Sequence, residues 1–416
     1  MKLPNRKESN ALNIAIINSM SNTTSTGKIA FGLHSYLKAQ GHRSRIYYGR
    51  KDPGAEGNDD LIRFCSEAEF RCNALLVRLF GAEGLYAWHA TKRLLALLEQ
   101  DPPDAVYLLN LHAYYLNFPM LFDYLGKRQI KTIYLMLDEA PFLGKCCFSF
   151  SCERYKAECG HCPLVRDYPK SLFFDRSRLL FRKKREAYAK VRDLTFVGIP
   201  YTVEKARGSA LLRNAHLVEL DEAVNLRELY YPHETSALRE RLGIPVGNRI
   251  ILTVSPYSNP RKGGRFFLRA AELLAAQKDL TFVYVGYDGE EKECPPNLIP
   301  ISYVSDQNEL AEYYSLGDLF VCTSLAETVA NTCLEALSCG TPLLGFRICG
   351  IPYSADAPYG TFVAPEDVDG LAEAIRNTPP KTAERSAACR HYAESRYDAQ
   401  QYYERLASLT KEPFYG

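Results

Sequence analysis

Two carboxylates eight residues apart, Glu327 and Glu335, stand in the stretch Ser324-Leu-Ala-Glu-Thr-Val-Ala-Asn-Thr-Cys-Leu-Glu-Ala-Leu-Ser-Cys-Gly-Thr-Pro342. The apolar run before it, 318–323, reads as a buried strand, and Gly340 with Pro342 forms a helix stop. Glu327 then falls in a strand-to-helix loop. Glu335 sits on the helix, one turn beyond Asn331 and on the same face. A helix N-terminus attracts phosphate and carboxylates accept from sugar hydroxyls, so the segment suits a phosphorylated sugar. Spacing alone equally describes a buried strand–helix joint with two solvent-facing glutamates. The turn Ser255-Pro-Tyr-Ser-Asn-Pro-Arg-Lys-Gly-Gly264 shifts the balance. There Arg261 and Lys262 can neutralise a diphosphate while the glycines let it approach.

The first half carries its own candidates. A polar stretch, Asn18 to Ala30, separates a first strand from a helix read at 31–40, and a loop of that kind faces phosphate or substrate in such folds. His112 follows the strand 105–109, a position that favours a cleft residue over a structural histidine. Cys146, Cys152, Cys159 and Cys162 form a compact set, and Cys159-x-x-Cys162 has a metal-knuckle spacing. A structural zinc on four thiolates is one reading. Buried thiols, or a disulfide in an exported chain, are the others. The segment 176–192 is a basic amphipathic helix that suits either an anionic lipid surface or simple solvation.

The elements that must position these residues are short apolar runs alternating with helix-length amphipathic segments. Strand candidates are 12–18, 45–48, 105–109, 131–137 and 193–198, then 249–255, 280–285, 298–303, 319–323, 343–346 and 361–363. Two successive sets of this kind imply an α/β protein with two doubly wound, Rossmann-like parallel-sheet domains facing a cleft. The expected division is 1–205 and 206–394, with a charged, aromatic helix over 395–416 packing back on the first domain. Ligands of such sheets bind beyond the carboxyl ends of the strands.

At 416 residues the chain exceeds one ordinary core. It is 46% hydrophobic and 24% charged with a formal net charge of +2, which argues against nucleic acid as a partner. No window reaches the uncharged apolar length of a membrane span. The N-terminus lacks a signal-peptide pattern, and thirteen cysteines without one point to a reducing, cytoplasmic setting, or the inner face of a membrane.

The second half resembles the nucleotide-sugar-binding domain of retaining GT-B glycosyltransferases, specifically glycosyltransferase family 4. The matching elements run in order. They are Lys262-Gly263, Phe282-Val-Tyr-Val-Gly286 and Leu310-Ala-Glu-Tyr-Tyr-Ser-Leu-Gly-Asp318. Then come Glu327…Asn331-Thr332…Glu335-Ala336…Cys339-Gly-Thr-Pro342 and Gly350-Ile-Pro352…Gly360-Thr-Phe-Val363. The resemblance implies that Glu335 accepts from ribose hydroxyls and that Glu327 contacts the transferred sugar. Lys262 would bind the diphosphate and offset charge on the leaving group. Asn331 and Thr332 would bring backbone amides to the phosphates, and Tyr303 and Val304 would sit by the base. Arg261 would substitute for an arginine that the family carries where Ser255-Pro256 stand. Gly27, beside Lys28, is the candidate for the glycine near the donor diphosphate.

In the first half, Thr26-Gly-Lys-Ile-Ala30, Gly49-Arg50, Asn110-Leu-His-Ala-Tyr-Tyr-Leu-Asn117 and Tyr134-Leu-Met-Leu-Asp-Glu-Ala-Pro-Phe-Leu-Gly-Lys-Cys146 resemble a subgroup that builds bacterial surface polysaccharides. His112 would orient donor or acceptor, and Asp138 is retained. The subgroup's histidine before the aspartate is Leu137 here, a second falls at Lys145, and Tyr353 replaces a frequent glutamate. The resemblance implies a UDP- or GDP-linked sugar donor, a saccharide or lipid-linked acceptor and no cofactor required for catalysis. The departures leave open a catalytically weakened GT-B partner or scaffold protein. A sugar-nucleotide epimerase is a further alternative.

Overall fold

The computed structural model describes residues 11–412, so the residues read for an export signal lie partly outside it. The chain divides into two compact units, the first running to Leu220 and resuming at Tyr403, the second Asp221–Tyr402.

The first unit holds a seven-stranded sheet. Its strands are β1 (Asn13–Asn18), β2 (Arg43–Tyr48), β3 (Leu61–Arg63), β4 (Ala105–Leu108), β5 (Lys131–Leu135), β6 (Leu194–Gly198) and β7 (His216–Glu219). They lie in the order β3-β2-β1-β4-β5-β6-β7, every pair parallel. The second unit repeats the scheme with β8 (Arg249–Val254), β9 (Leu280–Val285), β10 (Leu298–Ile301), β11 (Leu319–Cys322), β12 (Leu343–Phe346) and β13 (Gly360–Val363). Its order is β10-β9-β8-β11-β12-β13, again all parallel. Successive side chains of a strand point to opposite faces. Ile250 and Leu252 accordingly enter one apolar layer and Ile251 the other. Helices therefore cover both faces, as a parallel sheet requires. In each sheet the order reverses between two strands, β1 and β4 or β8 and β11, where doubly wound folds bind ligands.

Several sequence expectations need correction. Strands β3 and β7 were not anticipated, because one is three residues long and the other is a partly exposed edge without an apolar run. With β7 in the first sheet, the boundary moves from 205/206 to Leu220/Asp221. The C-terminal segment is two helices, Ala383–Tyr397 and Ala399–Ser408, and only the part from Tyr403 on belongs to the first unit. There the Tyr107 hydroxyl donates to the Leu406 carbonyl at 2.6 Å.

The basic segment is the helix Ser177–Tyr188, whose apolar residues Leu180, Phe181 and Ala187 are buried in the first core. Its cations are engaged as well. Arg182 pairs with Glu158 at 2.8 Å, Lys183 with Glu186 at 2.6 Å, and Lys184 donates to the Leu143 carbonyl at 2.8 Å. The helix thus turns most of its apolar side to the core and leaves Leu179 exposed. Among the described residues no helix is long and apolar enough to cross a membrane.

Candidate functional site

In the second unit, β8 and β11 end side by side and deliver their loops to one place. After β8 the turn tightens into a short 3₁₀ segment, Pro260–Lys262, capped by the Asn259 side chain. Gly263 follows with φ +66°, and a Cβ there would run into the Thr323 carbonyl beyond β11. Only glycine lets the two loops close on each other here. The backbone ties them as well, Leu325 N donating to the Arg261 carbonyl at 2.7 Å. Glu327 is thereby buried between two cations. Lys262 Nζ lies 2.7 Å from Oε1 and Arg261 Nη1 3.1 Å from Oε2. Arg261 also donates to the Ala326 carbonyl. On the other side Gly350 N donates to the Glu327 carbonyl at 2.9 Å, and a Cβ on Gly350 would overlap the Thr328 carbonyl. The glycine of Gly350-Ile-Pro352 is thus needed for close packing.

Asn331 and Thr332 open the helix Asn331–Ser338 with Ala330 at its N-cap, so no capping side chain occupies the first amides. Glu335 is one turn in, and its Oε2 accepts from the Tyr314 hydroxyl at 2.6 Å. Burial and the neighbouring Glu335 charge push the Tyr314 hydroxyl well above its usual range, so Tyr314 remains a donor. Tyr314 was not singled out from sequence, although it lies in the segment that carried the resemblance. Tyr303 follows the edge strand β10 and is 83% exposed, while Val304 packs against the core.

In the first unit, the sequence candidates converge in part. His112 follows β4 and Asp138 follows β5, adjacent parallel strands, and His112 Nε2 lies 2.7 Å from Asp138 Oδ2. The Tyr168 hydroxyl is 3.0 Å from Nδ1. Burial opposes charge on the imidazole, but Cys147, Asp138 and Tyr168 together hold His112 well above its usual value. Asp138 Oδ1 accepts from Ala140 N at 2.8 Å, which fixes the carboxylate toward the ring. Its neighbour Glu139 is fully buried and accepts from Tyr201, Lys205 and Ser149, a network that anchors this loop. His112 also borders a cavity of about 40 Å³ shared with Glu83, Lys145 and Lys184. Burial pushes the Glu83 carboxyl up, and its Oε2 has no hydrogen-bond partner among the described residues. Lys145, at a subgroup histidine position, is buried and donates to the Asp167 carbonyl at 2.9 Å.

Gly27 is not in a loop. The helix begins at Thr24 and runs to Ala39, so Gly27 lies inside its first turns, where a side chain would crowd the backbone of Asn22. The loop before it, 19–23, is held instead at Ser21, Asn22 and Thr23 by Asp52, which the sequence did not flag. Its Oδ2 accepts from Ser21 N at 2.7 Å, Ser21 Oγ at 2.9 Å and Asn22 N at 2.8 Å. Burial would raise this carboxyl, yet these donors outweigh it and hold Asp52 at about 2.

Cys146, Cys152, Cys159 and Cys162 line one pocket. No three of their sulfurs approach within the 4.8 Å that a shared metal needs. Among the described residues the only such group is His112, Asp138 and Cys147. Cys146 donates to Cys162, holding Cys162 down at about 7 and pushing Cys146 up. Of the readings open for these four cysteines, the sulfurs as placed lend no support to a zinc tetrahedron and include one thiol pair, Cys146 with Cys162.

Residues 248–378 match the family model "Glycosyl transferases group 1". Similar curated proteins include D-inositol 3-phosphate glycosyltransferase 2 of Catenulispora acidiphila, 30% identical over 165 residues, which are 35% of this chain and 38% of that protein. D-inositol 3-phosphate glycosyltransferase of Mycobacterium bovis is 27% identical over 190 residues, 42% of this chain and 39% of that protein. The chain therefore spans well under half the length of the curated relatives it matches. Similar solved structures include sucrose-phosphate synthase from Thermosynechococcus elongatus, with TM-score 0.64 at 16% identity, covering 96% of this chain and 98% of that one. WaaG, a glycosyltransferase involved in lipopolysaccharide biosynthesis, gives 0.64 at 17%, covering 96% and 100%. Anabaena HepE in complex with UDP and glucose gives 0.64 at 14%, covering 97% and 100%. The chain thus has the fold of the GT-B glycosyltransferases, two Rossmann-like parallel-sheet units, and its second unit carries the glycosyl transferases group 1 segment.

Proposed function

We propose that this chain is a retaining glycosyltransferase that moves a sugar from a nucleoside diphosphate donor to a saccharide or lipid-linked saccharide acceptor, in polysaccharide assembly. The observation that carries the proposal is the convergence of Arg261, Lys262 and Glu327 at the β8/β11 switch point, with Glu335 one turn into the adjoining helix. The donor diphosphate draws Arg261 and Lys262 from Glu327, and the first amides of the helix Asn331–Ser338 add to them. These groups neutralise the leaving diphosphate, work that a divalent metal would otherwise do. Glu327, released, accepts from hydroxyls of the transferred sugar. Glu335, oriented by Tyr314, accepts from the ribose. Tyr303 and Val304 lie toward the base. His112, whose imidazole Cys147, Asp138 and Tyr168 bias toward its charged form, orients a phosphate or hydroxyl. A UDP-linked donor is favoured because HepE, a protein of similar fold, binds UDP, glucose and UDP-glucose.

Leu137 beside Asp138 supports a second reading, a catalytically weakened partner protein. One experiment separates the two. The purified protein is screened by calorimetry against UDP, GDP, ADP and dTDP, then incubated with the matching sugar donors and product anomers are read by NMR. Transfer or donor hydrolysis with retained configuration supports the transferase. Nucleotide binding without turnover supports the partner protein, and no nucleotide binding rejects both.

A further inference from the structure

The first unit leaves an apolar surface uncovered. The loop 163–176, which has neither helix nor strand, exposes Leu172, Phe173 and Phe174, Phe173 to 71%, and Leu179 is exposed on the helix after it. The helix Glu67–Phe80 adds Leu75 and Phe80, and Trp88 is 52% exposed. Contacts join Leu172, Phe174, Phe80 and Trp88 into one face. The Phe80 and Phe174 rings stack at 6.1 Å, and Leu172 N donates to the Arg78 carbonyl at 2.8 Å. Arg176 lies 5.1 Å over the Phe174 ring and acts on the Tyr86 hydroxyl, whose ring meets Trp88 at 6.0 Å. Burying such side chains is worth roughly 1.5–3 kcal/mol each, so a continuous exposed group of them marks a surface that is covered in use.

The charges around this face indicate what covers it. Arg78, Arg166, Lys170 and Arg176 are exposed, and among the described residues none of them forms an ion pair. The acids nearby in sequence are Asp167 and Asp175. Asp175 is occupied by backbone amides, accepting from Cys162 N at 2.8 Å and Ser177 N at 2.9 Å. Four exposed cations, Arg176 among them over the Phe174 ring, thus outnumber the exposed acids nearby in sequence, Asp167 and Asp175, of which Asp175 is taken up by backbone amides. Phenyl and aliphatic tips beside Trp, Tyr and unpaired Lys/Arg have the chemistry of a membrane interface. The apolar tips enter the acyl boundary, indole and phenol sit at headgroup level, and the cations meet lipid phosphates. We infer that this face, built from the loop ending at Arg176, the end of the helix Glu67–Phe80 and Trp88, docks on an anionic lipid bilayer. The helix Ser177–Tyr188 exposes Leu179, while its Leu180, Phe181 and Ala187 are buried in the core. The inference does not depend on the proposed transfer activity, and its test requires no donor.

Trp88 is the only tryptophan of the chain, so the face carries its own reporter. Fluorescence is recorded while the full chain is titrated with vesicles of phosphatidylcholine, with and without 30% phosphatidylglycerol, alongside cosedimentation. The expected result is a blue shift with reduced acrylamide quenching on the anionic vesicles only, weakening as salt rises. L172S/F173S and K170E/R176E should each lower partitioning tenfold or more, since each cation near the surface contributes about a fivefold factor. R182E/K183E, on the core-packed helix, should bind like wild type. All the substituted residues except Lys183 are exposed, and unchanged thermal melting confirms that the variants fold. An unshifted Trp88 signal, or undiminished binding by L172S/F173S, overturns the inference. So does a concentration-dependent dimer without vesicles that L172S/F173S abolishes, because the face would then join two copies of the chain.

Discussion

His112 Nε2 and Asp138 Oδ2 lie 2.7 Å apart, each at the carboxyl end of one of two adjacent strands, and Asp138 is among the groups that keep the imidazole charged despite its burial. The folded value is raised above the unfolded value of about 6.5. The stabilisation is therefore fully present below about pH 6.5 and is lost as pH rises through the folded value. D138N should drop the His112 titration, followed by NMR, by well over a unit. H112Q should flatten the dependence of stability on pH above neutrality, with about 2 kcal/mol lost at pH 6. An imidazole that titrates unchanged in D138N would remove Asp138 as a cause.

Lys262 and Arg261 both hold Glu327, so neutralising the carboxylate frees the cations without removing them. E327Q should bind a nucleoside diphosphate at least as tightly as wild type while turnover falls a hundredfold or more. K262A should weaken the same binding roughly 10- to 100-fold, the range of a lost charge-assisted contact. Calorimetry with UDP or GDP and initial-rate kinetics read the two apart. Loss of nucleotide binding in E327Q would mean that Glu327 itself holds the donor diphosphate site together.

Asp52 Oδ2 gathers four donors from the loop after β1, Ser21 N and Oγ, Asn22 N and Thr23 N, and the carboxyl is held at about 2. Its folded value is depressed, so its contribution is present above about pH 4 and lost as pH falls toward 2. The shift corresponds to about 2 kcal/mol. D52N should cost about that much at pH 7 and flatten the acid limb of the stability curve, measured by urea unfolding between pH 2 and 7. A variant as acid-sensitive as wild type would assign acid unfolding to other carboxylates.

Cys146 and Cys162 form a thiol pair within the set of four cysteines for which a structural zinc was one reading. Treatment with a strong chelator should leave the melting temperature unchanged, and C146S should cost no more than an ordinary core substitution. A melting temperature that falls on chelation, with one zinc per chain by mass spectrometry, would restore the tetrahedral reading.

The two parallel-sheet units were legible because parallel strands buried on both faces are nearly continuous apolar runs, as 280–285 and 343–346 are. Strand β7 was not legible, since His216–Glu219 is a partly exposed edge with polar ends. The start of the first helix was misplaced because Thr24-Ser-Thr-Gly has poor helix propensity and reads as loop. The determinant is tertiary, with Asp52 from beyond β2 fixing the preceding residues. Contacts between loops had no local signal either. Lys262 and Glu327 were assigned to one site by their place at strand ends, but their 2.7 Å ion pair follows only from β8 lying next to β11. The four cysteines were legible only as a set, since their spacing left zinc, buried thiols and a disulfide open.

Glu335 and Tyr314 offer the sharpest test of where a nucleoside would sit. The Tyr314 hydroxyl is buried and donates to Glu335 Oε2 at 2.6 Å, so one carboxylate oxygen is fixed. Y314F removes that donor with almost no change of shape and should cost roughly 1–2 kcal/mol of stability. If Glu335 grips ribose, Y314F should lower UDP affinity about five- to tenfold, and E335A should lower it further. Binding of inorganic pyrophosphate, which would engage Arg261 and Lys262 alone, should be unchanged in both variants. In the E335A background, Y314F should have no additional effect on UDP, because its only route to the ligand is the carboxylate. Parallel losses of UDP and pyrophosphate would instead mean that the Glu335–Tyr314 pair merely supports the helix Asn331–Ser338, and the ribose contact would have to lie elsewhere.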